Sequence, residues 1–227
     1  MEGVKQKKMF ILIDTSGSMA GQEKEVADGL NTTLKAIAQN KKTGETIQVS
    51  LNTFDSEIKE LRLPFFLEPD VPKYLSSESL EMRGDTALYD AVGITVGTLS
   101  ELSTPSKDVI VVVSTDGQDT VSEHYDAESV RVLVEEYRTK GVSFIYIASG
   151  NDAYTAGEQM GFIEDECKRV RVEHNESIGS CFSSQLIRDA ISQALGQESV
   201  PSGFEEKEGS PKRIKKDEEE EIYSQYY

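Results

Sequence analysis

The sequence predicts an α/β fold: a doubly wound, Rossmann-like arrangement of three layers, with helices on both faces of a mostly parallel sheet that has one antiparallel edge strand. Two short runs, residues 9–13 and 109–113, are entirely apolar, which is typical of strands buried on both faces of a parallel sheet. Segments with helical spacing alternate with strand-like segments along the chain. A short link at residues 55–57 joins two strand-like segments, and such a link permits only an antiparallel pair.

The first third of the chain contains three predicted strands and one helix. Residues 9–13 form the first strand, which ends at Asp14. Residues 22–40 carry apolar side chains at helical spacing and predict a helix. These side chains are Val26, Leu30, Leu34 and Ile37. Residues 47–54 alternate as a strand, and residues 58–65 are predicted to be its antiparallel neighbour.

The middle of the chain predicts a helix, a central strand and a second helix. Residues 87–102 are typical of a helix, and residues 108–114 contain the most apolar strand of the sequence. Residues 127–140 form the next predicted helix. Gly141 follows it at the position where a left-handed backbone ends a helix.

The last part of the domain predicts two further strands and two further helices. Residues 142–148 form a strand, residues 153–160 a short helix, and residues 169–172 a polar strand at the sheet edge. Residues 183–195 are amphipathic and predict the closing helix, which Gly196 stops.

Composition indicates one domain and a tail. The chain has 227 residues, of which 37% are apolar, enough for one ordinary core, which we place in residues 1–196. Residues 197–227 lack apolar periodicity and contain basic and acidic runs, which predicts a disordered, charged tail. The net charge of -17 argues against nucleic acid as a partner, because binding to phosphates needs a basic face.

The first residues are basic, but they predict no targeting segment. The apolar run after Lys8 is five residues long, whereas a secretory core needs about 7 to 15 and a membrane span about 20. We therefore expect a soluble, cytoplasmic protein without a membrane partner. Cys167 and Cys181 lie in no metal-binding or redox spacing and are expected to be reduced thiols.

Hard oxygen atoms collect where the first strand ends. Asp14, Ser16 and Ser18 alternate around a glycine directly after the apolar run, and the chain offers two further oxygen ligands in Thr86 and Asp116. Asp116 follows the central strand. Because the carboxyl ends of parallel strands face one crevice, these residues are expected to meet. Oxygen ligands suit Mg2+, with Mn2+ or Ca2+ as alternatives.

Each motif alone has an ordinary structural explanation. Asp, Ser and Gly are common in turns, so the segments at residues 14–18 and 116–117 could be turns alone, and Thr86 could cap the helix that follows it. The coincidence of all three segments favours the metal site. Asp85, Asp119, His124 and His174 are expected to be solvated surface residues.

The three segments together resemble the metal-ion-dependent adhesion site of von Willebrand factor A domains. The matching stretches are Asp14-Thr-Ser-Gly-Ser18, Thr86 before a helix, and Ser114-Thr-Asp-Gly117 after a strand, in the same order and spacing. The similarity covers residues 7–196. In style the chain is most similar to intracellular prokaryotic members, including those associated with tellurite resistance.

The resemblance implies a role for each site residue. Ser16 and Ser18 would coordinate the ion directly, Thr86 would do so in the ligand-competent form, and Asp14 and Asp116 would act directly or through water. One coordination position would stay open for a partner. The resemblance further implies that movement of the Thr86 loop, with the last helix as a lever, could switch affinity.

The resulting hypothesis is a divalent-metal-dependent protein-binding module that captures an Asp or Glu carboxylate of another protein. Two alternatives stay open: a metal-assisted phosphohydrolase, and a scaffold that acts through the acidic C-terminal tail. The sequence contains no Asp-x-Asp nucleophile pair, phosphate-binding loop, nucleophile elbow or poised histidine. We therefore expect a binding protein rather than an enzyme.

Overall fold

The computed structural model describes residues 5–104, 106–162, 168–172 and 178–198. The strands in this part are β1 (Lys5–Asp14), β2 (Glu45–Phe54), β3 (Ile58–Phe66), β4 (Val109–Thr115), β5 (Ser143–Ser149) and β6 (Lys168–Val172). The α-helices are α1 (Glu23–Gln39), α2 (Leu88–Gly97), α3 (Ala127–Thr139), α4 (Asn151–Gln159), α5 (Ile178–Phe182) and α6 (Gln185–Ala194).

The strands form one sheet in the order β3-β2-β1-β4-β5-β6. Neighbouring strands are parallel except β2 and β3, which are antiparallel. The short turn after β2 causes this exception, since a parallel partner would need a long crossover. The predicted fold class, its antiparallel edge strand and the edge position of β6 are confirmed.

Two apolar layers cover the sheet, one on each face. Met9, Ile11 and Ile13 of β1 belong to the layer that packs against α1 and α6, whereas Leu12 belongs to the layer that packs against α2, α3 and α4. Because successive side chains of a strand point to opposite faces, a continuous apolar run supplies both layers at once. The runs identified in the sequence are therefore the central strands.

Strand β1 begins earlier than the predicted strand at residues 9–13. Lys5 pairs with Glu45, and Lys7 is buried with its Nζ 2.8 Å from Glu45 Oε1. Lysines are rarely buried unless they are paired, so the sequence did not predict that the basic segment belongs to the strand. Its partner, 38 residues away, makes it part of the sheet.

Three predicted helices differ in their limits. Helix α2 ends at Gly97 and continues as a 3-10 turn, and α4 begins at Asn151, directly after Gly150 with φ of +84°. The predicted closing helix at residues 183–195 is α6, which begins at Gln185 because Ser184 caps it by accepting a hydrogen bond from the N–H of Ile187 at 3.3 Å. The separate helix α5 precedes it and was not predicted.

Several predictions fall on residues that the structure does not describe. Cys167, His174 and the tail from residue 199 lie outside the described residues, whereas Cys181 is buried in the layer beside α1. Gln197 is buried as well, and its N–H donates to the carbonyl of Ser192 at 2.8 Å.

None of the helices in the described ranges combines the length and hydrophobicity that crossing a membrane requires.

Candidate metal centre

The candidate site lies at the point where the strand order reverses. The chain winds from β1 to β2 through α1 on one face, and from β4 to β5 through α3 on the other face. Strands β1 and β4 are parallel neighbours, with Ile13 beside Ser114. Their carboxyl ends thus border the crevice where ligands bind in open α/β sheets. Asp14 ends β1 and Asp116 directly follows β4.

Asp14 is a fully buried carboxylate. Its Oδ1 accepts the N–H of Ser16 at 2.8 Å, and its Oδ2 accepts the hydroxyl of Thr115 at 2.5 Å. Burial raises the pKa of Asp14, the hydrogen bonds from Ser16 and Thr115 oppose this rise, and the nearby charge of Asp116 adds to it. Within the described residues, no Lys, Arg or His side chain forms an ion pair with Asp14.

The two serines link the strand end to Asp116. Ser16 Oγ lies 3.1 Å from Ser18 Oγ, and Ser18 Oγ donates to Asp116 Oδ1 at 2.6 Å. Ser16 is buried, while Ser18 lies at the surface. Four of the five predicted ligands are thus joined by hydrogen bonds that also include the N–H of Ser16 on Asp14. The structure brings these oxygens together across 98 residues of sequence.

Thr86 lies at the edge of this group. A side chain at Gly117 would place its Cβ 3.8 Å from Thr86 Oγ1, so the two residues are in direct proximity. The carbonyl of Gly84 accepts the N–H of Gly17 at 3.0 Å, which joins the Thr86 segment to the serine turn. In the described contacts Thr86 Oγ1 makes no hydrogen bond to the other four predicted ligands.

The structure tests the turn and helix-cap explanations of the motifs. Asp14 does form a turn with Ser16, as its sequence allowed. Thr86 does not cap α2, since Ala87 occupies the N-cap position. The first N–H groups of α2 are bound by another loop instead: Tyr89 N–H donates to Asp119 at 3.1 Å.

Sequence reasoning missed Asp90 and the hydrogen bonds of the half-buried loop residue Asp119. Asp90 is buried and accepts the backbone N–H groups of Glu123, His124 and Tyr125 at 3.0, 2.9 and 2.8 Å. Burial acts to raise the pKa of Asp90, but these three donors hold it below the ordinary value. Asp119 is not merely solvated, because it also accepts the hydroxyl of Ser122 at 2.5 Å.

The three Asp residues of the loop at 116–126, with Ser122 among them, were a signal that the sequence offered. The exposed side chain of His124 agrees with the prediction of a surface residue, and its Nδ1 lies 3.3 Å from Asp90 Oδ2. Together, these contacts hold the start of α2 against the loop that carries Asp116. The loop is therefore ordered around the candidate site by carboxylates that are not themselves predicted ligands.

The donor set consists of oxygen atoms alone. Two carboxylates and three hydroxyls make up the predicted ligands, and hard oxygens fit Mg2+, Mn2+ or Ca2+ better than softer metals. In residues 5–104, 106–162, 168–172 and 178–198, no three His, Cys, Asp or Glu side chains form a metal-binding group. A metal site here would depend on the neutral hydroxyls.

The sequence profile of the von Willebrand factor type A domain family matches residues 9–184. The chain belongs to this family. The resemblance inferred from the three motifs is thereby confirmed at the level of the family, and the similarity to intracellular prokaryotic members stays a prediction. Von Willebrand factor A (VWA) domains often depend on a metal ion and mediate protein interactions. No curated protein matches the chain.

Solved structures support the fold. The SpRpn10 VWA domain is 17% identical, with a TM-score of 0.53, and the match covers 79% of this chain and 96% of that domain. The pilus adhesin SpaC from Lactobacillus rhamnosus GG is 12% identical, with a TM-score of 0.58, over 85% of this chain and 31% of the adhesin. Manganese-loaded TRAP protein from Plasmodium vivax is 13% identical, with a TM-score of 0.50, over 86% and 76%.

The chain is shorter than several of the proteins that it resembles. It covers 44% of a von Willebrand factor type A protein from Catenulispora acidiphila and 48% of the mussel byssus protein PTMP1. At such low identities the likeness concerns the fold.

Proposed function

We propose that this VWA domain is a divalent-metal-dependent protein-binding module. Asp14, Ser16, Ser18, Thr86 and Asp116 hold Mg2+, with Mn2+ or Ca2+ as alternatives, and an acidic side chain of a partner protein completes the coordination. The protein is not an enzyme in this proposal, and it acts in the cytoplasm. The metal-loaded TRAP neighbour supports the choice of a divalent ion.

One observation carries the proposal. Asp14 is fully buried at the carboxyl end of β1, and within the described residues no basic side chain pairs with it. An unpaired buried charge is costly, so a site that retains one is a candidate for binding a cation. The hydroxyls of Ser16 and Ser18 and the carboxylate of Asp116 are linked beside it.

The ligand set explains why a carboxylate is the favoured partner group. When bound, a divalent ion supplies a positive charge that two carboxylates neutralise only when both coordinate it directly. Hydroxyls leave the positive charge of the ion in place. If Asp116 acts through water, an anionic oxygen from outside becomes the favoured additional ligand.

The metal is tested first, with the metal alone as the probe. Isothermal titration with Mn2+ should give one site in the full chain, and Asp116→Asn and Ser18→Ala should each weaken it by about tenfold or more. Asp28→Asn is the matched control, because Asp28 is an exposed carboxylate paired with Lys24 on α1. Wild-type protein that takes up no Mn2+ or Mg2+ contradicts the proposal.

The partner is tested by affinity capture in Mg2+ and in EDTA. A partner of the proposed kind is retained in Mg2+, is lost on chelation and is lost with the Thr86→Ala variant. Converting the carboxylates of the isolated partner to amides should abolish its retention. Retention that survives amidation would show that a carboxylate is not the group recognised.

The same experiment separates the alternatives. Removal of residues 199–227, which keeps the buried Gln197, leaves binding intact if the metal site acts, and abolishes it if the protein is a scaffold that works through its tail. A metal-assisted phosphohydrolase would turn over phosphate esters in Mn2+ and would lose that activity in Asp14→Ala. The unpaired Asp14 favours a metal site, which the binding module and the phosphohydrolase share, so the turnover assay distinguishes these two. No comparable contact in the described residues favours the scaffold.

A further inference from the structure

Thr86 lies in a segment that two neighbouring loops hold from opposite sides. Residues 83–87 run between the turn after β2 and the loop after β4. The N–H of Arg83 donates to the carbonyl of Thr15 at 2.7 Å, which anchors the start of the segment to the end of β1. The described contacts of this segment involve side chains that are not among the predicted metal ligands.

Asp55 contacts the residues on both sides of Thr86. Its backbone carbonyl accepts the N–H of Ala87 at 2.8 Å, and its Oδ2 lies 3.4 Å from Arg83 Nε. The same carboxylate accepts the N–H of Glu57 at 2.9 Å and lies 3.3 Å from Lys59 Nζ. Asp55 is only 5% exposed. The backbone carbonyl of Asp55, through Ala87, and its carboxylate, through Arg83, therefore tie the segment to the turn after β2.

The charge of Asp55 is maintained by its neighbours. Burial acts to raise the pKa of Asp55, but the N–H of Glu57 and the cations of Lys59 and Arg83 hold it below the ordinary value. Asp55 is thus a paired carboxylate, in contrast to Asp14. Its contacts are directed at the Thr86 segment and at its own turn.

Thr120 holds the backbone of Thr86 itself. The Oγ1 of Thr120 accepts the N–H of Thr86 at 2.9 Å, and the N–H of Thr120 donates to the carbonyl of Thr86 at 2.8 Å. Both polar backbone groups of Thr86 are therefore occupied by one residue. Thr120 follows Asp116 in the same loop, so these bonds also set the position of Thr86 relative to a second predicted ligand.

We propose that Asp55 and Thr120 are positioning residues that hold the hydroxyl of Thr86 toward the metal and thereby set the affinity of the site for a divalent ion. The inference rests on the proposed function. Neither residue coordinates the ion. Ligands that are held in place before the ion arrives bind it more tightly, and loss of such supporting contacts costs about 10-fold to 100-fold in metal affinity.

The inference differs from a merely structural role in one measurable respect. If Asp55 and Thr120 act through Thr86, their substitutions have no further effect on metal affinity once Thr86 has lost its hydroxyl. A purely structural role would lower stability without this dependence on Thr86. A double-mutant cycle measures the coupling directly.

The experiment measures Mn2+ affinity of the full chain by isothermal titration. We expect Thr120→Val and Asp55→Asn each to weaken Mn2+ binding about tenfold. Thr120→Ser should keep most of the wild-type affinity, because serine retains the hydroxyl that accepts the N–H of Thr86. Thr120 is exposed, so its variants should fold like the wild type. In the Thr86→Ala background both substitutions should change affinity by less than about twofold.

Matched controls exclude general effects of the substitutions. Thr139→Val removes an exposed hydroxyl that donates to the carbonyl of Glu136 at 2.6 Å, and Asp28→Asn neutralises an exposed carboxylate. Both should leave Mn2+ affinity unchanged. The inference is overturned, while the proposed function stands, if Thr120→Val and Asp55→Asn bind Mn2+ as tightly as the wild type. It is also overturned if their effects on Mn2+ affinity simply add to that of Thr86→Ala. Absence of Mn2+ binding in the wild type overturns both.

Discussion

The two ends of strand β1 each bury a charged side chain, and they treat it differently. Near the start, Lys7 is paired with Glu45 at 2.8 Å and also donates to the carbonyl of Leu195. At the end, Asp14 is bound by a hydroxyl and a backbone N–H, with no basic side chain paired to it in the described residues. One buried charge is compensated within the fold, and the other is not.

The difference separates a structural contact from a candidate binding site. Lys7 joins β1 to β2 and to the end of α6, so its charge stabilises the packing of the last helix on the sheet. Asp14 has no partner of opposite charge among the residues that the structure describes. Because ionising a buried group without a partner costs free energy, the ionised form of Asp14 would be stabilised by a cation from outside.

The largest effect on stability is expected at the paired end. Lys7→Met leaves Glu45 with a buried charge and no lysine, and Glu45 Oε2 already has no hydrogen-bond partner among the described atoms. We expect the free energy of unfolding to fall by about 3 kcal/mol, measured by urea denaturation. Mn2+ affinity should stay at the wild-type value.

A stability loss at Lys7 that is accompanied by weaker Mn2+ binding would contradict the separation of the two ends. Lys24→Met is the control, because its ion pair with Asp28 is exposed and exposed pairs contribute little. This variant should unfold at the urea concentration of the wild type.

At Asp14 we expect a loss of Mn2+ affinity without a loss of stability, which is the reverse of the result expected at Lys7. Asp14→Asn should lower Mn2+ affinity by at least about 100-fold, or ~2.7 kcal/mol. Metal-free stability should not fall, since the amide can keep both contacts: its oxygen accepts the N–H of Ser16, and its Nδ2 donates to Thr115 Oγ1, whose hydroxyl turns to the carbonyl of Gly117 at 3.2 Å.

Thermal unfolding with and without Mn2+ checks both parts of this prediction. Wild-type protein should be stabilised by the ion, by about 2.7 kcal/mol at 100 times the dissociation constant, and Asp14→Asn should show no shift. A variant that is several kcal/mol less stable without metal would indicate that the charge of Asp14 is compensated after all.

A smaller loss of stability is expected at Asp90, a buried carboxylate that is compensated by backbone N–H groups. Its pKa is lowered in the folded state from the ordinary value of 3.8, so its contribution to stability is fully present above that pH and is lost as the pH falls through the folded value. Asp90→Asn should cost about 2 kcal/mol near neutral pH. The difference from wild type should narrow below about pH 4.

Urea denaturation of both proteins between pH 3 and pH 7 tests this sign. Glu136→Gln, at an exposed ion pair with Lys140, is the control that should show no comparable difference at any pH. A difference between wild type and Asp90→Asn that grows as the pH falls would contradict the assignment of a lowered pKa.

The strands that sequence predicted best are those whose apolar side chains serve both faces of the sheet. Val111 and Val112 face opposite layers, so no polar position interrupts the pattern of β4. The antiparallel pairing of β3 followed from the length of a link alone. Lys7 was missed because a lysine in a strand is recognisable only when its partner is known.

The residues of the candidate site also differ in how far the sequence alone could identify them. Asp14, Ser16 and Ser18 form a compact motif, and their proximity in sequence suffices to suggest a common ligand. Asp55 and Asp90 stand alone among many acidic residues of the chain. Their importance comes from donors such as Arg83 and Tyr125, which lie 28 and 35 positions away and become neighbours only in the folded protein.

The sequence by itself determined the fold class, the antiparallel edge and the candidate oxygen ligands, because apolar periodicity, link length and short motifs are local properties of the chain. Only the tertiary structure decided which carboxylates are compensated and which is not. Compensation depends on which donors and cations the sheet and its loops bring within hydrogen-bond distance, and that distance is unrelated to separation along the chain.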